Sequence, residues 1–126
     1  MTITEVQTNV INTLTNAGYQ NVKDNLLVGI TKNEHYPFVV VDLASSIVQT
    51  IASGKYTPGV HYLIITCYQK AKIGITQARQ SAVSTLEAVM ELLNLQILEN
   101  KIEYVDTVMN NIKVCGAGCI VEVGAY

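Results

Sequence analysis

Tyr36-Pro37-Phe38-Val39-Val40-Val41-Asp42-Leu43 decides the fold, because its apolar residues occupy both alternations of an extended chain. Phe38 and Val40 point one way, and Val39, Val41 and Leu43 the other. A strand that is apolar on both faces is covered on both faces. Pro37 suits the entry of such a strand, since proline cannot donate to a ladder. The apolar run continues to Ile51, with Ser45-Ser46 as a candidate bulge, and Ala52 to Gly59 then reads as a loop holding Gly54, Pro58 and Gly59. A second extended run, Val60-His61-Tyr62-Leu63-Ile64-Ile65-Thr66-Cys67-Tyr68-Gln69, returns antiparallel to the first. The pair forms a long hairpin whose expected tip is Ser53-Gly54-Lys55-Tyr56-Thr57.

Helical spacing flanks this hairpin on both sides. Ile3, Val6, Val10, Leu14 and Ala17 recur every three to four positions before Gly18, a stop signal. Thr2 or Thr4 can cap the start, and Glu5, Gln7, Thr8, Asn12 and Thr15 fall on the opposite, polar face. After the hairpin, Thr76 to Leu93 carries the stripe Ile75, Ala78, Ala82, Leu86, Val89, Met90 and Leu93. Between the first helix and the hairpin, Tyr19 to Asn25 reads as irregular and Leu26 to Ile30 as a short strand. The tail reads as a second hairpin, Lys101 to Met109 and Ile112 to Val123, turned at Asn110-Asn111. Gly116 and Gly118 within its last strand imply a bulge or a close backbone approach. The expected fold is α+β, a mainly antiparallel sheet flanked by an N-terminal helix and one long helix, in the order α-β-β-β-α-β-β.

At 126 residues the chain fits one domain, 1–126. Charged residues make up only 14%, against roughly 25% in soluble domains. Charge is the usual means by which a small protein stays apart from its neighbours, so thin charge implies a surface covered by other subunits. A net charge of −2 argues against nucleic acid as a main ligand. No leader or membrane span is legible, which points to the cytoplasm.

Catalytic chemistry finds little support. Cys115-Gly-Ala-Gly-Cys119 has three residues between its thiols, unlike the two-residue spacing of zinc or redox motifs, and reads as a pair of buried strand cysteines. His35 and His61 share no spacing with them. No nucleophile elbow, phosphate loop or zinc-protease helix is present, so the expectation is a non-enzyme without metal or cofactor. The long helix does carry an anomaly. Arg79 sits in its first turn while Glu87 and Glu91, a like-charged pair four apart, lie near its C-terminus, opposite to what the helix dipole favours. A cation from a neighbouring copy, Lys70, Lys72 or Arg79, would offset the two glutamates. Tyr56, beside Lys55 in the expected tip, is a candidate contact residue because tyrosine is enriched where proteins meet.

Three features together resemble the tail terminator family of long-tailed bacteriophages, also called tail-to-head joining or tail completion proteins. They are the Ile3 to Ala17 helix, the Tyr36 to Val41 strand entered through proline, and the Tyr62 to Tyr68 strand leading through Lys70-Ala-Lys72 into the helix at Thr76. The resemblance is one of layout over nearly the whole chain. It implies a virion protein of the neck, assembled in the host cytoplasm. Such subunits form a ring, usually of six, that caps the finished tail tube and offers a surface to the head connector or stopper protein. No catalytic residue is carried over, and the contact positions it implies are Ser53 to Thr57 and nearby residues. The contact set is therefore Lys55, Tyr56, Thr57, Lys70, Lys72, Arg79, Glu87 and Glu91. Another neck component, and a small-molecule-binding or enzymatic α+β domain, are the alternative readings of the same scaffold.

Overall fold

A computed structural model describes residues 3–24, 37–50, 56–72, 74–98, 101–109 and 112–124. Its elements are α1 (Ile3–Asn16), β1 (Val22–Lys23), β2 (Phe38–Thr50), β3 (Tyr56–Lys70), α2 (Ile75–Leu93), β4 (Gln96–Ile97), β5 (Glu103–Met109) and β6 (Ile112–Gly124). The strands form one six-stranded mixed sheet in the order β1-β2-β3-β6-β4, with β5 also paired to β6. All pairings are antiparallel except β1 with β2. The α+β class and its coarse order follow the sequence reading. The expected strand at 26–30 lies outside the described residues, and the short strand that is described sits earlier, at β1.

Both faces of the central strands are apolar, and β2 is covered on both from Phe38 to Val41 as its alternation demanded, whereas Leu43, read as covered with Val39 and Val41, is exposed. Val39, Val41, Leu63, Ile65, Cys67, Ala117, Cys119 and Val121 face the helices. There they meet Val6, Val10 and Leu14 of α1 and Ala82, Leu86, Val89 and Met90 of α2. Each large side chain so buried contributes about 1.5 to 3 kcal/mol. The opposite face buries Phe38, Val40, Tyr68 and Val114 at one end of the sheet. Phe38 and Tyr68 meet edge to face at 6.3 Å between ring centroids.

The helix ends obey local rules. Gly18 turns the chain out of α1 at φ 105°, and Asn94 ends α2 in the left-handed region at φ 51° with its N–H donating to the Met90 carbonyl. Thr4 lies inside α1 and is no cap. Ile75, assigned to the apolar stripe, is exposed at the start of α2. Gln7 departs further from its assignment to the polar face of α1. It is buried, and its Nε2 donates to the Val41 carbonyl at 2.7 Å.

The hairpin is longer and more irregular than expected. β3 begins at Tyr56, with Tyr56 opposite Thr50, Thr57 opposite Gln49 and Pro58 opposite Val48, so 56–59 of the stretch read as a loop are strand, and 52–55, with the expected tip residues Ser53 to Lys55, lie outside the described residues. Ladder bonding across these pairs overrides the turn preference of Pro58 and Gly59. Register shifts fall at Ala44, next to the serines, and at Gly59.

Gly116 and Gly118 are close-approach glycines. A Cβ on Gly118 would lie 2.6 Å from the Thr66 Oγ1 and 3.2 Å from the Ile65 carbonyl, and one on Gly116 would lie 2.7 Å from the Tyr68 ring. β3 side chains therefore lie flat across β6. Gly118→Ala is expected to lower the unfolding free energy by about 1 to 3 kcal/mol in urea titration. Adding Thr66→Ala should recover part of that loss, because it removes the clashing oxygen.

Cys67, Cys115 and Cys119 are free and buried. Burial pushes the Cys67 thiol up to about 12, with nearby Cys119 adding to the shift, and burial pushes Cys119 up to about 11. Their ordinary value is near 9. A raised folded pKa gives stability that is complete below the unfolded value and lost as pH rises through the folded one. The urea midpoint should therefore hold from pH 7 to about 8.5 and fall between about 9 and 12. A disulfide-exchange reagent at pH 8 should find no reactive thiol until the chain is denatured.

Candidate assembly surface

The long strands end in different neighbourhoods. β6 pairs with β3 from Lys70↔Val114 to Val60↔Gly124, whereas β2 pairs with β3 onward to Thr50↔Tyr56. Beyond Val60, β2 and β3 thus continue as a two-stranded arm with no third strand among the described residues. The base of the arm is tied by His61, buried in β3, whose Nδ1 lies 2.8 Å from the Ser46 Oγ of β2.

The two sides of the sheet are finished in opposite ways. On the β2 side, β1 pairs at Val39 and Val40, and the Val39 N–H donates to the Asn21 carbonyl. Backbone groups of alternate residues share a side, so Val41 and Leu43 present theirs outward with Val39. Gln7 donates to the Val41 carbonyl, and the Leu43 N–H donates to the Asp42 Oδ1 at 2.7 Å. That edge is guarded by side chains.

On the other side β5 pairs only with β6, and no strand lies against its outer edge among the described residues. Its apolar residues are open on both faces: Tyr104 is 59%, Val105 41% and Val108 65% exposed. Solvated edge strands usually carry charge, proline or a bulge to repel other strands. β5 carries two acidic residues, and both are neutralised. Glu103 pairs with Lys101 at 2.9 Å, and Asp106 pairs with Arg79 of α2 through two guanidinium contacts. The Arg79 hydrogen bond holds the Asp106 carboxyl below the usual aspartate range. Beneath it, burial raises the Cys115 thiol, with a hydrogen bond to Asp106 acting in the same direction. Behind β5, on the helix-free face, Ile64, Leu98, Val105, Gly118 and Ile120 help line a cavity of about 130 Å³.

The expected contact residues do not form one site. Lys55 lies outside the described residues. Tyr56 and Thr57 open β3 in the arm, while Lys70 closes β3 at the far end, roughly 45 Å away at about 3.3 Å per residue. Lys72 is exposed just beyond it. Arg79 is engaged by Asp106 of its own chain, so it is not a spare cation for a neighbouring copy. Glu87 and Glu91 are exposed on the later turns of α2. The bare β5 edge escaped the sequence reading. Its signal was present in Tyr104, Val105 and Val108, apolar on both alternations next to so few charges.

Among the described residues no three His, Cys, Asp or Glu side chains gather as a metal group, and no helix is long and apolar enough to cross a membrane. No protein-family model matches the chain, and no curated protein matches it.

Asp106→Asn removes the carboxylate that ties β5 to α2. Hydrogen exchange of the β5 amides is expected to quicken while the global unfolding midpoint barely moves, since an exposed pair adds little to overall stability. Lowering the pH should reproduce the effect in the wild type. A depressed carboxyl stabilises above the ordinary aspartate value of 3.8 and loses that contribution as pH falls through its folded pKa.

Proposed function

We propose that the chain is a structural subunit of a phage neck, a tail terminator whose ring, usually of six copies in that family, caps the tail tube and joins it to the head connector or stopper. The observation that carries this reading is the arm, in which β2 and β3 run on past the last β3–β6 bridge at Val60↔Gly124. A two-stranded ribbon is marginal alone in water. An arm of this kind is stabilised by contact with another body, and a neighbouring copy or a tube subunit supplies it.

The chemistry required is that of fit. A subunit that binds its neighbour through a different patch from the one it offers builds a heterologous interface, which closes into a ring when the rotation permits. The ring engages the last turn of the tube and presents a different face above, so addition stops. Thin charge supports the same reading, because ring contacts cover surface that charge would otherwise have to solvate. The work is done in the virion, after assembly in the host cytoplasm, without a catalytic residue or cofactor.

Negative-stain images of the purified protein, alone and with tail tubes, test the reading. Rings in solution or at tube ends are expected, and polymerising tube protein in the presence of the chain should stop at shorter lengths. Particles that stay monomeric under both conditions, with tube length unaltered, would overturn it.

A further inference from the structure

From the two finishes of the sheet we infer that the bare β5 edge of one copy receives the arm of the next, with the outer edge of β2, from Ser45 at the arm's base to Thr50 in the arm, adding as a strand beside Glu103–Met109. The inference rests on the ring reading and names the contact that closes the ring. An open strand edge displays backbone N–H and C=O groups, and the ligand that satisfies a whole row of them is another strand. The chain contains such a donor, the arm, whose outer edges no strand of its own sheet covers among the described residues. Among the described residues, β5 is a long acceptor with an open edge and exposed apolar side chains.

The choice of strand within the arm follows from backbone chemistry. The β3 side carries Pro58, which has no N–H to give, and a register irregularity at Gly59. The β2 side has no proline, which makes it the competent donor. Charge points the same way. Lys101 neutralises Glu103 and Arg79 neutralises Asp106, so β5 offers a strip without net charge, flanked by the exposed Tyr104, Val105 and Val108. Ser45-Ser46-Ile47-Val48-Gln49-Thr50 is likewise uncharged and rich in β-branched residues.

β5 pairing with another β5 is the competing geometry. It would produce a closed two-fold pair and leave every arm uncovered. Arm on edge uses both features and propagates head to tail. The guard on the β2 side, Gln7 on Val41 and Asp42 on Leu43, stops short of Ser45 and leaves the arm as the part available for pairing.

The test combines a blocking substitution with a cross-link. Val108→Lys changes an exposed side chain, so circular dichroism and the urea midpoint should match the wild type. Rings should then require about tenfold more protein or fail to form, because a lysine on the edge repels an incoming strand. A photoreactive benzoylphenylalanine in place of Val108, irradiated in assembled rings, should form its adduct within residues 45–50 of a neighbouring copy. Wild-type rings together with unimpaired Val108→Lys rings, or adducts on β5 or elsewhere, overturn the edge pairing and leave the ring reading standing. A wild type that never assembles, with or without tubes, overturns both.

Discussion

Everything else in the sheet depends on how closely β3 and β6 lie. Thr66 and Tyr68 fold flat over Gly118 and Gly116, where no Cβ could fit without a shift. β6 is the strand to which β3, β4 and β5 are all hydrogen-bonded, so its position sets theirs. With Thr66 and Tyr68 laid over it, the helix-free face stays low along β6. On the other face, Ala117 and Cys119 are small enough for α2 to settle with Leu86, Val89 and Met90. Two glycines and two small residues on alternating positions thus let one strand serve both faces.

From that centre outward the two edges diverge. The β2 side is closed by side chains that bond backbone groups: Gln7 from α1 and Asp42 from the strand itself. A buried amide donating to a carbonyl avoids the penalty of an unmet buried group, about 1 to 3 kcal/mol, and also denies that carbonyl to a foreign strand. The β5 side has its charges cancelled by Lys101 and Arg79. In a chain with so few charges, spending two cations on the acidic residues of one edge strand removes the repulsion that would keep that edge solitary.

The parts of the fold that were legible in the sequence are those set by periodicity. Val6, Val10 and Leu14, Ala78 to Met90, and the double alternation of β2 from Phe38 to Val41 read correctly because burial of apolar surface obeys the 3.6 and 2.0 repeats. Gly116 and Gly118 announced a close approach, though not the side chains that would make it. What failed was set by pairs distant in sequence. Gln7 looks solvent-facing until Val41, 34 residues later, offers a carbonyl. Arg79 looks misplaced on the helix dipole until Asp106, 27 residues later, reaches it. Tyr56 to Gly59 look like loop residues until β2 supplies a ladder. For the candidate surface, the arm was half visible as a hairpin, with Tyr56 and Thr57 assigned to its tip and found in its second strand. For the β5 edge, Tyr104, Val105 and Val108 showed an apolar strand, but a strand's rank within a sheet is a property of topology, and composition does not encode it.

Arg79 shows how a local rule and a long-range one are reconciled. A cation in the first turn of a helix is unfavourable by roughly 0.3 to 1 kcal/mol when solvated. Its carboxylate partner adds a negative charge at the helix N-terminus, which is the sign the dipole prefers there, and Gly74 supplies no side-chain cap of its own. Asp106 therefore does for α2 what an acidic first turn would do from within, while holding β5 against the helix layer. Glu87 and Glu91 have no such compensation on their own helix, and they stand exposed on its later turns. Arg79 of a neighbouring copy is a poor source of a cation there, because a guanidinium already committed to one carboxylate in its own chain would have to abandon β5 to serve another.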